Sequence, residues 1–395
     1  MNRIILIGNG FDIANGLETH YSDFIIWLWK ELNSKYNSHI ENSKSEFIIE
    51  NLVTYFPFTN SEPIEPIDLI PTGDYFINKT KTSQLCRIYF DNTFFKIITT
   101  NFKNKNWVDI EEDYFNALKE CIKGKYVGGI SKLNGDFKTI KNYLEDYLNN
   151  VQINHSNDSV NSNNLSQNFN VADFSIDGIK QLREKYYQRN EEDISKFERI
   201  EFQMKRGKSG YMRCNTEIFP ENILFLNFNY TSLPTKIIQR IKENSWQLDE
   251  WANTPMEAIY IHGELKNVQN PIIFGYGDEQ DEIHKEIEKR GDIYLDNIKT
   301  INYLKTANYK KLLNYLESDF YQVFIFGHSC GLSDKTLLNT IFEHENCVSI
   351  KPFFFINEKG HNNYEDIIKN IYRVFSTKSS MRDKVVPKEY CQSLI

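Results

Sequence analysis

The sequence contains few cysteines, and no two of them lie close together. The six occur at positions 86, 121, 214, 330, 347 and 391 of the 395 residues. This spacing fits neither a zinc ribbon nor a small disulfide scaffold. We therefore predict that the chain binds no metal and keeps its thiols reduced, as in a cytoplasmic protein.

The sequence also lacks long apolar stretches and an excess of positive charge. No apolar run approaches the ~20 residues that a membrane span requires, and the run before Gly8 is too short for a signal peptide. The net charge of −8 disfavours broad nonspecific nucleic-acid binding. Aromatic residues are abundant, with 28 Phe and 23 Tyr, which excludes disorder for most of the chain. We expect a soluble, cytoplasmic protein with a large core.

The amino terminus has the pattern of a buried strand, a glycine loop and a helix. An apolar run at residues 4–7 is followed by Gly-Asn-Gly at residues 8–10. Glycines at the carboxyl end of a parallel strand let backbone N–H groups approach a phosphate. The third glycine of the dinucleotide fingerprint is replaced by Ile13, and a glycine follows only at Gly16. The segment predicts a nucleotide-binding loop but disfavours a plain dehydrogenase.

The chain changes character near Phe219. Before it, apolar residues mostly recur at helical spacing, and residues 154–170 form a polar tract typical of a disordered-like loop. After it come dense apolar runs that end in Gly, Asn, His or Ser, as buried parallel strands do. We predict an α/β fold with a Rossmann-like, mostly parallel sheet over residues 1–30 and 218–395. Residues 31–217 are predicted to be a mainly helical insertion.

Polar residues and glycines follow each predicted parallel strand. Ligands of open α/β sheets bind at the carboxyl ends of the strands, near the point where the strand order reverses. None of these ends is specific alone, because a glycine there is usually a turn and a histidine is more often structural. The ends are residues 8–10, 227–231, 262–263, 327–329 and 356–357.

These elements, taken in order, resemble those of the sirtuin-like NAD-consuming proteins. The family's Gly-x-Gly loop is followed six residues later by a glycine and an aliphatic residue, which Gly16 and Leu17 match. Its later strands end in Asn-x-Asp, His-Gly, Gly-x-Ser and Ile-Asn. The matching segments here are residues 229–231, 262–263, 327–329 and 356–357. The chain departs from the family at Thr231, in place of the acid, and at Glu18, in place of a proline.

Within that group the chain is most similar to the AbiH family of phage abortive-infection proteins. The similarity is carried by LIGNGFDIANGLETHYSDF (6–24), NWVDIEEDYFNAL (106–118), LNFNYT, IHG and FGHSCGLSDK (326–335). Sirtuin deacetylases have a four-cysteine zinc module after the His-Gly, and none follows His262-Gly263, which disfavours protein deacylation. The resemblance implies a sirtuin-like fold and an NAD hydrolase that cleaves NAD to nicotinamide and ADP-ribose as a defence effector.

The resemblance further implies a catalytic pair, His262 and Asn229. Cleavage of the nicotinamide–ribose bond passes through an oxocarbenium-like sugar, and the leaving group needs no general acid. A neutral imidazole near pH 7 suits the base that prepares the nucleophile. The Asn229 amide both donates and accepts, so it can hold ribose hydroxyls or a water. We expect His262→Ala to leave folding nearly intact, since a side chain at a loop end contributes little packing.

The other implied residues bind NAD as substrate. Backbone N–H groups of residues 8–11 are expected at the pyrophosphate, while Asp12 either bonds a ribose hydroxyl or caps the following helix. His328 either lines the pocket or is structural. Glu111 is a further acidic candidate, although the segment from Trp107 is more typical of a capped helix start. The predicted NAD-binding residues are Gly8, Asn9, Gly10, Phe11, Asp12, Asn227, Thr231, Gly263, Gly327, Ser329 and Asn357.

Alternative functions stay open on the sequence alone. A catalytically silent NAD or ADP-ribose sensor would fit the missing acid at Thr231, whereas the presence of His262 opposes it. A nuclease or other toxin is disfavoured by the acidic balance and the lack of a metal cluster. Aromatic helices such as residues 24–29 favour a homo-oligomer formed through the insertion, with core packing as the alternative. We also expect a phage-derived or host trigger, because a freely active NAD hydrolase would harm its host.

Overall fold

A computed structural model describes most of the chain. The described residues are 1–42, 46–49, 51–58, 63–65, 68–77, 84–105, 109–155, 164–165, 167–186, 219–244, 253–277 and 282–394. They divide into two compact units. The first unit contains Met1–Leu17, His155–Ile273 and Asn302–Ile395, and the second contains Glu18–Asn154 and Phe274–Ile301.

Strands and helices alternate along the chain. The strands are β1 (Asn2–Ile7), β2 (Phe47–Ile49), β3 (Val53–Pro57), β4 (Tyr75–Ile77), β5 (Gln84–Phe90), β6 (Ile223–Asn227), β7 (Met256–Tyr260), β8 (Tyr321–Phe326) and β9 (Cys347–Phe353). The helices are α1 (Asn9–Ala14), α2 (Tyr21–Asn42), α3 (Thr93–Lys105), α4 (Ile110–Ile122), α5 (Gly129–Asn154), α6 (Ile176–Tyr186), α7 (Leu233–Asn244), α8 (Glu282–Glu288), α9 (Lys299–Asn302), α10 (Asn308–Ser318), α11 (Lys335–Phe342), α12 (Tyr364–Val374) and α13 (Lys378–Lys384). The first unit therefore holds β1 and β6–β9, and the second holds β2–β5.

The first unit is built on a five-stranded parallel sheet in the order β7-β6-β1-β8-β9. Ile7 at the end of β1 lies opposite Asn227 of β6 and Phe326 of β8. This confirms the prediction that the amino-terminal apolar run joins the carboxyl-terminal strands. The strand order reverses at β1, because β6 and β7 lie on one side of it and β8 and β9 on the other.

The apolar runs form strands because both faces of this sheet are covered. Every residue of β1, β6, β8 and β9 is buried, as is typical of parallel strands. On one face, Ile4 and Ile325 belong to a core that also includes Leu316 of α10, Leu338 of α11 and Ile371 of α12. Burial of this face supplies most of the driving force that holds the strand ends in register.

Charged side chains are also buried in the strands of the same sheet. The Arg3 guanidinium stands over the Phe169 and Phe324 rings, 4.7 and 4.1 Å from their centroids. Lys351 Nζ lies 3.0 Å from an Asp173 carboxylate oxygen. Burial lowers the pKa of Arg3 to about 9, against the attraction of Asp173. β1 thus begins before the predicted apolar run and includes a buried cation.

The second unit contains helices and a sheet that the sequence did not predict. This four-stranded antiparallel sheet has the order β2-β3-β5-β4. Trp29 of α2 stacks on Phe95 of α3 with ring centroids 5.0 Å apart, and its indole N–H donates to Thr99 Oγ1 at 3.2 Å. Phe24 and Trp29 are fully buried. Phe24, Trp29 and Tyr36 of α2 are therefore core residues, whereas Trp27 is half-buried, and homo-oligomerisation stays a prediction.

The boundaries between the two units differ from those predicted from the sequence. The second unit consists of two segments, Glu18–Asn154 and Phe274–Ile301. It therefore begins at Glu18 instead of near residue 31. One reason is that α5 returns to the start of this unit, where the Tyr147 hydroxyl donates to the Glu18 carbonyl at 2.7 Å. Most of the predicted loop at 154–170 and the segment 187–218 lie outside the described residues. Among the described helices, none has the length and apolar character needed to cross a membrane.

Candidate functional site

Two glycine loops meet at the carboxyl edge of the parallel sheet. The Gly8 N–H donates to Phe326 O at 3.0 Å, and the Gly10 N–H donates to Gly327 O at 2.9 Å. A Cβ added to Gly8 would lie 2.4 Å from His328 Cα. The glycines therefore permit close contact between two loops. The N–H groups of Gly8, Gly10 and Phe11 are used within the protein, so these three do not form the expected open cradle for pyrophosphate.

A buried carboxylate lies beside this contact. Asp12 of α1 is 1 % exposed, and its Oδ2 accepts a 2.8 Å hydrogen bond from Thr231 Oγ1. Its Oδ1 and the nearby buried Asn229 Nδ2 have no hydrogen-bond partner. The Asn229 side chain lies close enough to lower the pKa of this carboxyl, although its Nδ2 makes no hydrogen bond of ordinary geometry. We call Asp12, Asn229 and Thr231 the Asp12 cluster.

Burial dominates the electrostatics of Asp12. Desolvation raises its pKa to about 7, while Thr231 and Asn229 oppose the shift because they stabilise the charged form. The capping alternative for Asp12 is wrong, since Gly8 is the N-cap of α1 and no side chain caps it. The carboxylate instead joins helix α1 to the loop after β6. An acid therefore stands in space beside Thr231, where the sequence shows none.

Asn227 shapes the loop that carries this cluster. Its Nδ2 donates to Thr231 O at 3.1 Å, and its Oδ1 accepts the Asn229 N–H at 3.1 Å. Such a turn, closed by an asparagine side chain, holds its own backbone in place. Both ends of the Asn227 side chain are used by the loop, so its expected contact with NAD receives no support from the geometry.

His262 lies in a second polar cluster. Its Nδ1 is 2.9 Å from the Phe228 carbonyl oxygen, which can only accept, so this nitrogen carries a proton. Its Nε2 is 3.1 Å from both the Tyr303 hydroxyl and Asp334 Oδ1. The side chain is 4 % exposed. The expectation that replacement of His262 leaves folding nearly intact is therefore wrong in its premise, because this side chain is buried and hydrogen-bonded.

His328 and Asp334 complete this second cluster. His328 Nδ1 accepts the Cys330 N–H at 3.0 Å, and its Nε2 lies 3.6 Å from Asp334 Oδ2. The Phe228 ring packs on both imidazoles, with centroids 4.2 Å from His328 and 5.1 Å from His262. We call His262, His328, Tyr303 and Asp334 the imidazole cluster. The sequence assigned no role to Tyr303 or Asp334, because no local spacing links either one to a histidine.

Three other residues predicted at the strand ends, Asn357, Ser329 and Gly263, make contacts outside the Asp12 cluster. Asn357 is exposed, four residues beyond β9, and its side-chain oxygen accepts backbone N–H groups of its own turn. The Ser329 carbonyl accepts from Asn370 Nδ2 at 2.8 Å. Gly263 has a φ of +85°, and an added Cβ would lie 2.3 Å from Pro271 O. These contacts give the three positions roles in loop structure.

Glu111 is a structural residue of the second unit. Its carboxylate lies 2.8 Å from Lys299 Nζ and accepts the Gly275 N–H at 3.2 Å. Asp109 caps α4 by accepting the Glu112 N–H at 3.1 Å. The interpretation of this segment as a capped helix start is confirmed, and Trp107 lies outside the described residues.

The fold and the site define an α/β protein with a buried polar cluster at the carboxyl ends of neighbouring parallel strands. The family model for bacteriophage abortive infection AbiH matches residues 4–356. The chain belongs to this family, which implies a role in phage abortive infection. The AbiH part of the resemblance is thereby confirmed, and the sirtuin-like part stays a prediction. No curated protein and no solved structure matches the chain.

The polar clusters of the described residues do not include a set of metal ligands. In that part of the chain, no group of three or more His, Cys, Asp or Glu side chains is arranged to hold a metal ion. The carboxylate and imidazoles of the imidazole cluster are instead paired with one another and with backbone groups. That the chain binds no metal stays a prediction.

Proposed function

We propose that this chain is an NAD hydrolase with a sirtuin-like, Rossmann-like sheet, and that it cleaves NAD to nicotinamide and ADP-ribose during abortive infection. The observation that carries this proposal is the Asp12 cluster. A buried carboxylate oxygen and a buried carboxamide nitrogen, both without partners, lie at the ends of adjacent parallel strands. Unpaired buried polar atoms are costly, and a ligand that pairs them gains the same energy.

The strand order supports the nucleotide part of the proposal. Counted along the chain, the strands of the parallel sheet stand in the order third, second, first, fourth, fifth. This is the order of five strands in doubly wound dinucleotide-binding sheets, whose ligands bind beyond the carboxyl ends where the order reverses. Helix α1, which follows β1, and the loop after β6 hold the Asp12 cluster and lie at or next to that point.

The chemistry of the cluster matches the needs of the reaction. Cleavage of the nicotinamide–ribose bond requires that the sugar be held while positive charge develops on it. Asn229 Nδ2 can donate to a ribose hydroxyl or to the attacking water. A carboxylate beside the sugar stabilises the developing charge more strongly in a buried site than in water.

The proposal is tested in cells, because the trigger, a phage-derived or host factor, is unknown. NAD and nicotinamide are measured during phage infection in cells that express the wild type, Asn229→Ala or Asn222→Ala. Asn222 precedes the same strand at its amino-terminal end, so it is a matched control. We expect NAD loss with the wild type and Asn222→Ala, and a rate about 10²–10³-fold lower with Asn229→Ala, the usual cost of removing one positioned donor.

Two results would overturn this proposal. Unchanged NAD in wild-type cells that still abort infection would show that another reaction carries the defence. Binding of NAD without cleavage by the purified protein, after extract of infected cells is added to it, would favour the silent sensor. Cytoplasmic location and homo-oligomerisation are further predictions, which fractionation and measurement of the solution mass check.

A further inference from the structure

The proposed reaction requires a side chain that accepts the proton of the attacking water. A general base needs an acceptor atom that is free of other bonds and within reach of the water. The two clusters at the sheet edge offer two imidazoles and two carboxylates. Their hydrogen bonds separate them clearly.

Both imidazoles lack a free acceptor. His262 donates from Nδ1 to Phe228 O, and its Nε2 faces the Tyr303 hydroxyl and Asp334 Oδ1, each at 3.1 Å. His328 uses its Nδ1 to accept the Cys330 N–H. Its Nε2 therefore carries the proton of the neutral ring and faces Asp334. Neither histidine presents a lone pair to a substrate in this arrangement.

Asp12 presents the acceptor that the histidines lack. Thr231 holds Oδ2 at 2.8 Å, and Oδ1 is buried without a partner. Asn229 Nδ2 is also unpaired, and the Asn229 side chain acts on the same carboxyl, so a water bound by both residues would contact a donor and an acceptor together. The Tyr260 hydroxyl of β7 lies within electrostatic range of Asp12 and is engaged by Thr235 Oγ1 at 2.6 Å.

We infer that Asp12 is the catalytic base and that His262 is a positioning residue, an inference that rests on the proposed NAD hydrolysis. The water oxygen forms a bond to C1′ of the nicotinamide ribose, and one water proton passes to Asp12 Oδ1. The bond from C1′ to the nicotinamide nitrogen breaks, and its electron pair leaves with neutral nicotinamide. His262 acts through Phe228, whose carbonyl it holds, and so places Asn229.

The pH dependence of the reaction follows from the protonation of Asp12. Burial raises the pKa of this carboxyl to about 7, against the effect of Thr231 and Asn229. Below that pH the carboxyl holds a proton and cannot accept another. We expect kcat/KM for NAD to rise with pH through about 7 and then to level off.

The experiment compares pH profiles of kcat/KM for nicotinamide release by the full-length protein purified from phage-infected cells, in which its trigger is present. Asp12→Asn should lower kcat/KM about 10²–10⁴-fold at pH 8. Thr231→Val removes the hydrogen bond that favours the charged form, so the rising limb should move to higher pH by roughly one pH unit. Thr340→Val, whose hydroxyl bonds only within α11, is the matched control and should leave the limb in place.

The outcomes separate this inference from the proposed function. Asp334→Asn changes the partner of His262. Because Asp12 and not His262 is the inferred base, this variant should leave the rising limb at the same pH. A limb that moves with Asp334→Asn and stays unchanged with Thr231→Val would make His262 the base and overturn the inference, while NAD hydrolysis would stand. Absence of nicotinamide release by the wild type at every pH would instead overturn the proposed function itself.

Discussion

The Asp12 cluster and the imidazole cluster lie on the same sheet edge but differ in how their polar atoms are paired. Both ring nitrogens of His262 and Nδ1 of His328 have hydrogen-bond partners, and His328 Nε2 lies 3.6 Å from Asp334 Oδ2. In the Asp12 cluster, one carboxylate oxygen and one amide nitrogen are buried without partners. Paired buried groups stabilise a fold, whereas unpaired ones cost stability and are retained mainly where function needs them. The histidines attract attention in the sequence, but the acid is the better functional candidate.

The two clusters are connected through one segment of the chain. The segment from Asn227 to Thr231 supplies Asn229 and Thr231 to one cluster and the Phe228 carbonyl to the other. A substitution in the imidazole cluster can therefore alter activity by moving Asn229. Loss of activity in a variant does not by itself identify a base, so the stability of the variant has to be measured as well.

The largest expected effect is a change of stability with pH in Asp12→Asn. The folded carboxyl has a pKa of about 7 against an ordinary 3.8. Between these values the folded state binds a proton that the unfolded state lacks, so wild-type stability falls as pH rises. The total loss is roughly 4 kcal/mol, and the Asn variant avoids it. Urea unfolding at pH 4.5 and pH 8 measures the difference, with Asp366→Asn, a change of an exposed side chain of α12, as the unaffected control.

A smaller effect is expected for His262→Ala. Removal of this imidazole takes one buried partner from Asp334 and one from the Phe228 carbonyl, which should lower the free energy of unfolding by about 3 kcal/mol. His361→Ala, with an exposed ring, should cost less than about 0.5 kcal/mol. Urea titration of both variants checks this. Equal stability of the two proteins would contradict the structural role assigned to the imidazole cluster.

Two asparagines of one loop provide a closer comparison. Asn227 is fully buried and bonded at both ends of its side chain, so Asn227→Ala should lower stability by about 2 kcal/mol. Asn229 Nδ2 is unpaired, so Asn229→Ala should change stability by less than about 1 kcal/mol while it lowers NAD cleavage. Thermal unfolding of the pair decides the matter. A larger loss for Asn229→Ala would mean that its side chain is structural.

The smallest effect is expected for Cys330→Ala. Its thiol is buried in the core, where burial raises its pKa well above the usual range, so it is not a nucleophile. The shorter side chain should cost about 1 kcal/mol of stability, and nicotinamide release should stay within about twofold of wild type. Paired unfolding and activity measurements test both statements. A tenfold loss of activity at unchanged stability would assign the thiol a role in the site.

The parallel sheet could be predicted because its signal is local. Each strand that both faces of a sheet bury needs a dense apolar run, and such runs appear at residues 4–7 and after Phe219. The turn residues after each run also mark its carboxyl end. The pairing of β1 with β6 and β8 follows, since a buried parallel strand needs neighbours.

The antiparallel sheet could not be predicted in the same way. Its strands β2 and β4 have three residues each, and β5 mixes buried and exposed residues without strict alternation. Segments this short satisfy several patterns at once. Their pairing depends on contacts such as Thr54 of β3 opposite Tyr89 of β5, which lie far apart in the chain. The unit boundary at Glu18 likewise depends on a contact with α5.

The sequence by itself determined which segments become strands of the parallel sheet and which polar residues stand at their ends. Only the tertiary structure decided which of those residues are paired. His262 meets the carbonyl of a residue 34 positions away, and Asp12 meets a hydroxyl 219 positions away. Periodicity reports burial along one element, whereas hydrogen bonding depends on distances between elements. The roles of Asp12 and His262 at this edge therefore follow from packing, because packing alone fixes which buried polar atoms find a partner.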